Sequence, residues 1–207
     1  MLGADLSQLL GNKNSAGTWT DFIPSPSSDL SVSICLPVMN VIERNLYGGA
    51  MSVSVPSLCA DIGQFRQVPD NQEVFADANS DQSVIVEINE VLPTADAQCA
   101  SASESTILEQ GEMHTCQGEI AYFVNGRQRI TKFRDTESQA NLVDIWLFVI
   151  RLREHEADVV LTLNSPLTIA PHSSSSHCLP TDSARNRELA SHIISSFKIN
   201  NLRLLFS

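Results

Sequence analysis

Apolar residues alternate with polar ones along several short segments of the chain, which predicts strands with one buried face. Met51, Val53 and Val55 alternate with small polar residues just before a proline, as is typical of a half-buried strand. Residues 73–76 are predicted as a short strand after a turn, and residues 83–92 as a longer one in which Val84, Val86 and Ile88 occupy alternate positions. We therefore expect three strands in the first half of the chain.

Two segments in the second half are apolar without alternation. Residues 145–152 and 159–163 are dominated by Ile, Leu, Val, Trp and Phe, which favours strands covered on both faces. Only a few residues separate the two segments. They are therefore predicted to pair as a hairpin of central strands.

An Asn-Gly pair supplies the clearest local turn signal. Asn125 and Gly126 lie between the strand-like stretches 120–124 and 128–133. Because both residue types tolerate positive φ, this pattern predicts a type I′ hairpin turn there.

Helical patterns are fewer than strand patterns. Leu58, Ile62 and Phe65 fall on one side of a short predicted helical stretch. Residues 185–198 carry apolar side chains at four-residue spacing, which predicts a longer amphipathic helix. Residues 93–110 are rich in Ala and Ser and are predicted as a loop, with at most a poor helix.

These elements together predict an α+β fold. A helix with one apolar stripe needs a sheet face to pack on, and strands without alternation need cover on both sides. The result is a central sheet with helices on both faces, and the hairpins make that sheet largely antiparallel.

Length and composition fit one folded domain with an extension. The 207 residues are 43% hydrophobic and 18% charged, an ordinary globular composition. Residues 1–45 are Ser-rich and patternless, so they are predicted to be a disordered extension, and residues 46–207 the folded domain. The chain contains neither a long apolar run nor a basic segment followed by an apolar one, so we expect no membrane span and no secretory signal.

Negative charge is concentrated in one stretch. The net charge is −11, and residues 60–110 carry ten acids against the single base Arg66. An acidic surface repels nucleic acid and anionic lipid and can steer a basic protein partner. The alternative is a solvated surface that only keeps the protein soluble.

Patterns that carry chemistry are missing. The phosphate-binding, nucleophile-elbow and zinc-protease motifs are absent, and the five cysteines form no C-x-x-C pair, so we predict free thiols, no metal and no cofactor. Glu154, His155 and Glu156 are adjacent, but neighbouring residues on a strand point to opposite faces. We therefore predict that the protein is not an enzyme.

One polar turn is a candidate binding site. Asp70, Gln72 and Glu73 follow a proline closely, and polar groups on a rigid turn are well placed for recognition. The alternative is that Asp70 only caps the turn and Glu73 is a solvated strand residue.

The same turn belongs to a longer pattern that resembles the Ran guanine-nucleotide release factor (Mog-type) family. The stretches that carry the resemblance are Tyr47-Gly48-Gly49-Ala50, Phe65-Arg66-Gln67-Val68-Pro69-Asp70-Asn71-Gln72-Glu73-Val74-Phe75, Asp81 to Glu87, Gly126 to Phe133, Asp158 to Pro166 and the end of the chain. Residues 93–110 depart from the family, which has an aromatic-rich helix at that place.

The resemblance implies a three-layer α/β/α sandwich of the Mog/PsbP type. It also implies a regulator that binds the GTPase Ran, in its GTP-bound and nucleotide-free states, and promotes release of the guanine nucleotide in nuclear transport. The residues expected to contact Ran are Asp70, Glu73, Gln72 and Arg66. A monomer in the nucleus and cytoplasm, binding neither nucleic acid nor membrane, is expected. The alternative is a PsbP-like assembly or ligand-binding module without activity on Ran.

Overall fold

The protein is seen in a computed structural model that describes residues 39–91, 105–131 and 135–206. The strands are β1 (Val41–Leu46), β2 (Met51–Pro56), β3 (Ala60–Asp61), β4 (Gln72–Ala76), β5 (Ser83–Glu90), β6 (Ser105–His114), β7 (Ile120–Ile130), β8 (Asn141–Leu152), β9 (Ala157–Thr168) and β10 (Lys198–Ile199), and the helix is α1 (Ser183–Ser196). Single 3-10 turns occupy Tyr47–Gly49, Ile62–Gln64, Glu137–Gln139, Arg153–His155 and Leu202–Leu204.

The strands form two sheets. β1, β2 and β10 make a three-stranded sheet, and the other seven strands make a second sheet in the order β3-β4-β5-β9-β8-β7-β6. Every pairing among the described strands is antiparallel. The largely antiparallel sheet is thus confirmed, as is the pairing of the two long apolar strands, β8 and β9.

The core lies between one face of the large sheet and the cover formed by β2 and α1. Trp146, Phe148 and Ile150 alternate along β8 and are at most 1% exposed. From the other side, Val53 of β2 and Ile193 of α1 join the same buried cluster. Burying such side chains is the dominant favourable term in folding, so this face holds the fold together.

Helix α1 is the one α-helix of the described residues. Its N-cap is Asp182, whose side chain accepts a hydrogen bond from the Arg185 amide at 3.0 Å. Its buried side chains include Leu189, Ile193 and Ile194, so the predicted amphipathic helix is present, and the fold is of the α+β class. Helices on both faces of the sheet stay a prediction.

The predicted Asn125-Gly126 hairpin is wrong. Both residues lie inside β7, which pairs continuously with β8 from Ala121 to Ile130. The Asn125 amide instead donates to the buried Asp144 carboxylate at 3.0 Å, and a Cβ on Gly126 would lie 3.0 Å from the Thr106 carbonyl oxygen. Contacts with residues distant in sequence, and not a turn, therefore explain why Asn and Gly occupy these two positions.

Three other segments differ from the sequence-based expectation. Residues 105–110, predicted as a loop, belong to the edge strand β6, which lacks the usual pattern because it is mostly exposed. Residues 93–104 lie outside the described part. β1 covers residues that the sequence assigned to the N-terminal extension. The predicted helical stretch after residue 57 is β3 and a 3-10 turn, and Leu58 and Phe65 are exposed rather than packed along one side.

Candidate functional site

The candidate turn connects the Ile62–Gln64 turn to strand β4. Its closing hydrogen bond runs from the Gln72 amide to the Pro69 carbonyl oxygen, at 2.9 Å. Asn71 then fastens the turn to β5, because its carbonyl oxygen accepts from the Ile88 amide at 3.0 Å and its side chain donates to the Ile88 carbonyl oxygen at 3.2 Å. The turn is therefore held in place by two backbone hydrogen bonds and one hydrogen bond from the Asn71 side chain.

Asp70 and Arg66 are the solvent-facing charges of this region. Both residues are exposed. Within the described part of the chain, neither side chain makes a hydrogen bond or an ion pair with another residue. A carboxylate and a guanidinium that the fold itself does not use are available to an external group.

Glu73 points the other way, toward the Tyr47–Gly49 turn. Its Oε1 accepts a hydrogen bond from the Tyr47 amide at 2.9 Å. Tyr47 has a positive φ of 49°, which an L-residue adopts only when surrounding contacts hold it there. The Glu73 carboxylate is one of those contacts, so it is a structural group as well as a candidate binding group.

The Tyr47 side chain also contacts the candidate turn and strand β5. Its hydroxyl oxygen lies 2.9 Å from the carbonyl oxygens of both Asn71 and Val86. Burial, reinforced by the nearby carboxylates of Glu73 and Glu87, raises the pKa of Tyr47 well above its ordinary value. The phenol therefore stays protonated and acts as a fixed hydrogen-bond donor.

Gln72 lies on the opposite face of β4 from Glu73, because side chains alternate along a strand. Its amide donates to Glu87 Oε1 of β5 at 2.5 Å, and Gln72 and Glu87 are direct cross-strand partners. Gln72 is thus half-buried and already paired.

The structure therefore divides the four residues predicted from the sequence. Asp70 and Arg66 are exposed and unengaged, whereas Gln72 and Glu73 are half-buried and bonded within the protein. Sequence reasoning assigned no role to Tyr47, which anchors the turn from 24 and 26 positions away. The Tyr-Gly-Gly pattern was the available signal, since two glycines with positive φ follow Tyr47.

An open groove lies between the β6–β7 turn, the end of β8 and the C-terminal segment. Its walls include Glu119, Tyr122, Arg153, His155 and Leu202. The His155 ring stacks on Phe206, with ring centroids 4.4 Å apart, so this side chain is engaged by packing. Among the described residues, no three His, Cys, Asp or Glu side chains converge as metal ligands would.

In the part of the chain that the structure describes, no helix has the length and hydrophobicity of a transmembrane span. The fold and the site together define an α+β protein with a fixed, charged turn at one end of an antiparallel sheet.

Comparison with known proteins places this chain in a family. The family profile described as "Ran-interacting Mog1 protein" matches residues 44–166. A probable Ran guanine nucleotide release factor of Dictyostelium discoideum is 32% identical over 187 residues, which cover 78% of this chain and 95% of that protein. A Ran guanine nucleotide release factor of Danio rerio is 32% identical, over 80% of this chain and 98% of that protein.

A solved structure of a Mog1 protein has a similar fold. The crystal structure of the Saccharomyces cerevisiae Ran-binding protein Mog1p superposes with a TM-score of 0.61 at 25% identity, over 80% of this chain and 98% of that one. The chain belongs to the Mog1 family.

Proposed function

We propose that this protein binds the small GTPase Ran and promotes release of its guanine nucleotide, in support of nuclear transport. Its relatives are named as Ran guanine nucleotide release factors, and it covers nearly their whole length. The observation that carries the proposal is the fixed turn, which presents the unengaged Asp70 carboxylate on a fold of this family.

Release by binding needs no catalytic side chain. A partner that prefers the nucleotide-free state over the loaded state shifts Ran toward the empty form by mass action. In this scheme Asp70 engages a basic group of Ran that otherwise helps to hold nucleotide, while Arg66 contributes a second polar contact. Gln72 and Glu73 act mainly by keeping the turn in place.

The preorganised turn explains why binding can be effective. The hydrogen bonds of Asn71, Tyr47 and Glu73 fix the turn before Ran arrives, so little conformational entropy is lost on association. The proposal has two further parts. The protein binds both the GTP-bound and the nucleotide-free form of Ran. It acts as a monomer in the nucleus and the cytoplasm and binds neither nucleic acid nor membrane.

The test is release of fluorescent GTP from purified Ran at increasing concentrations of the protein. The wild type should accelerate release, and Asp70→Asn should require a higher concentration for the same rate. Glu188→Gln is the matched control, because it removes one exposed acid from the outer side of α1. No acceleration by the wild type contradicts the function, and equal behaviour of Asp70→Asn and Glu188→Gln contradicts the role of Asp70.

A further inference from the structure

Phe65 is a large aromatic side chain that the fold leaves in water. It is 76% exposed, although its position in the sequence suggested packing along a helix. An aromatic ring in this state adds little to the core, and Phe is among the most costly residues to leave exposed. Single exposed apolar residues are common, so its position must carry the argument.

The backbone that presents Phe65 is rigid. Asp61 caps the 3-10 turn by accepting a hydrogen bond from the Gly63 amide at 2.9 Å. The Phe65 amide donates to the Ile62 carbonyl oxygen at 3.0 Å. β3, from which this turn begins, is paired with β4. Phe65 is therefore displayed from a fixed support.

Phe65 lies at the same end of the large sheet as Asp70. Ala60 pairs with Ala76 and Asp61 with Phe75, so the chain leaving β3 runs toward the Gln72 end of β4. The Asp70 turn precedes that same end. Leu179, which is 70% exposed, lies at the other end, where its amide donates to Asn79 in the β4–β5 connection.

We propose that Phe65 is an apolar anchor of the Ran-binding surface, inserting into an apolar pocket of Ran bordered by basic groups. This inference rests on the proposed function and adds a residue to it. Binding hot spots combine a desolvated aromatic or Arg side chain with a polar surround that excludes water. Phe65 has such surroundings, because Arg66 follows it in the chain and Asp70 lies at the same end of the sheet. The pairing of β3 with β4 and the Asp61 cap supply the preorganisation.

The experiment measures the concentration of protein that gives half-maximal release of fluorescent GTP from Ran. Phe65→Ala should raise this concentration on the order of ten-fold or more, the usual effect of truncating a hot-spot aromatic. Phe65→Leu should fall between Phe65→Ala and wild type. Leu179→Ala should match wild type, because Leu179 is a similarly exposed apolar side chain at the other end of the sheet.

Thermal unfolding of the same variants shows that any loss is not a loss of folding. If wild type accelerates release and Phe65→Ala matches Leu179→Ala, the anchor is overturned while the proposed function stands. If wild type does not accelerate release, the proposed function fails and the anchor fails with it.

Discussion

Glu73 offers the sharpest test of how the candidate site is built. Its carboxylate accepts the Tyr47 amide at 2.9 Å and so fixes a residue with positive φ. Glu73→Ala removes the acceptor and leaves that amide without its partner. Glu73→Gln keeps one oxygen acceptor, removes the charge and replaces the second oxygen with an NH2 donor.

The magnitudes follow from the nature of this hydrogen bond. Hydrogen bonds to charged groups contribute about 1.5–3 kcal/mol, and neutral ones about 1 kcal/mol. Glu73→Ala should therefore destabilise the protein by about 1.5–3 kcal/mol, and Glu73→Gln by roughly half as much. For a domain of this size the Ala variant should lower the thermal midpoint by roughly 3–12 °C.

Differential scanning calorimetry and urea unfolding of the wild type, Glu73→Gln and Glu73→Ala measure the series. The expected order of stability is wild type, Gln, then Ala. Equal stability of Ala and wild type would refute the claim that Glu73 holds the Tyr47 turn. A Gln variant that is as stable as wild type but weaker on Ran would show that the charge itself contacts the partner.

Two further predictions test the fold and its chemistry. Gly126→Ala should destabilise the protein by about 1–3 kcal/mol in urea unfolding, because the added methyl group meets the Thr106 carbonyl oxygen of β6 at 3.0 Å; unchanged stability would contradict this close approach of β6 to β7. Burial, with a smaller effect of the Asp77 carboxylate, raises the pKa of Cys59 to about 12, so its thiol stays protonated up to strongly alkaline pH. Iodoacetamide at pH 8 should therefore modify the exposed Cys116 in the native protein and leave Cys59 unmodified in peptide mass spectra; equal labelling would contradict this burial.

The parts of the fold that follow from sequence are those with a local signal, which is an apolar periodicity or, for β8 and β9, a nearly unbroken apolar run. β2, β4, β5, the β8–β9 hairpin and α1 each carry a pattern that is visible within a dozen residues. β6 could not be predicted this way, because an exposed edge strand has no buried face to impose alternation. The hairpin turn predicted at Asn125 and Gly126 was wrong because these residues contact the buried Asp144 carboxylate and the neighbouring strand β6 and do not form a turn.

In the candidate site too, features that are local in sequence could be predicted and long-range contacts could not. The turn and its acids are local in sequence, so Pro69 and Asp70 were sufficient to mark it. The link from Glu73 to Tyr47 spans 26 residues and requires the tertiary fold. Phe65 is the clearest case, since its helical spacing predicted burial and only the short β3 strand and its turn place the ring in solvent.

The most direct test of the central claim compares the affinity of this protein for nucleotide-free Ran and for GTP-loaded Ran, by calorimetry at one salt concentration. We predict that the protein binds both forms and binds the nucleotide-free form more tightly, because only such a difference can drive release. Equal affinities would contradict release by binding, and no binding to either form would contradict the assignment of Ran as the partner.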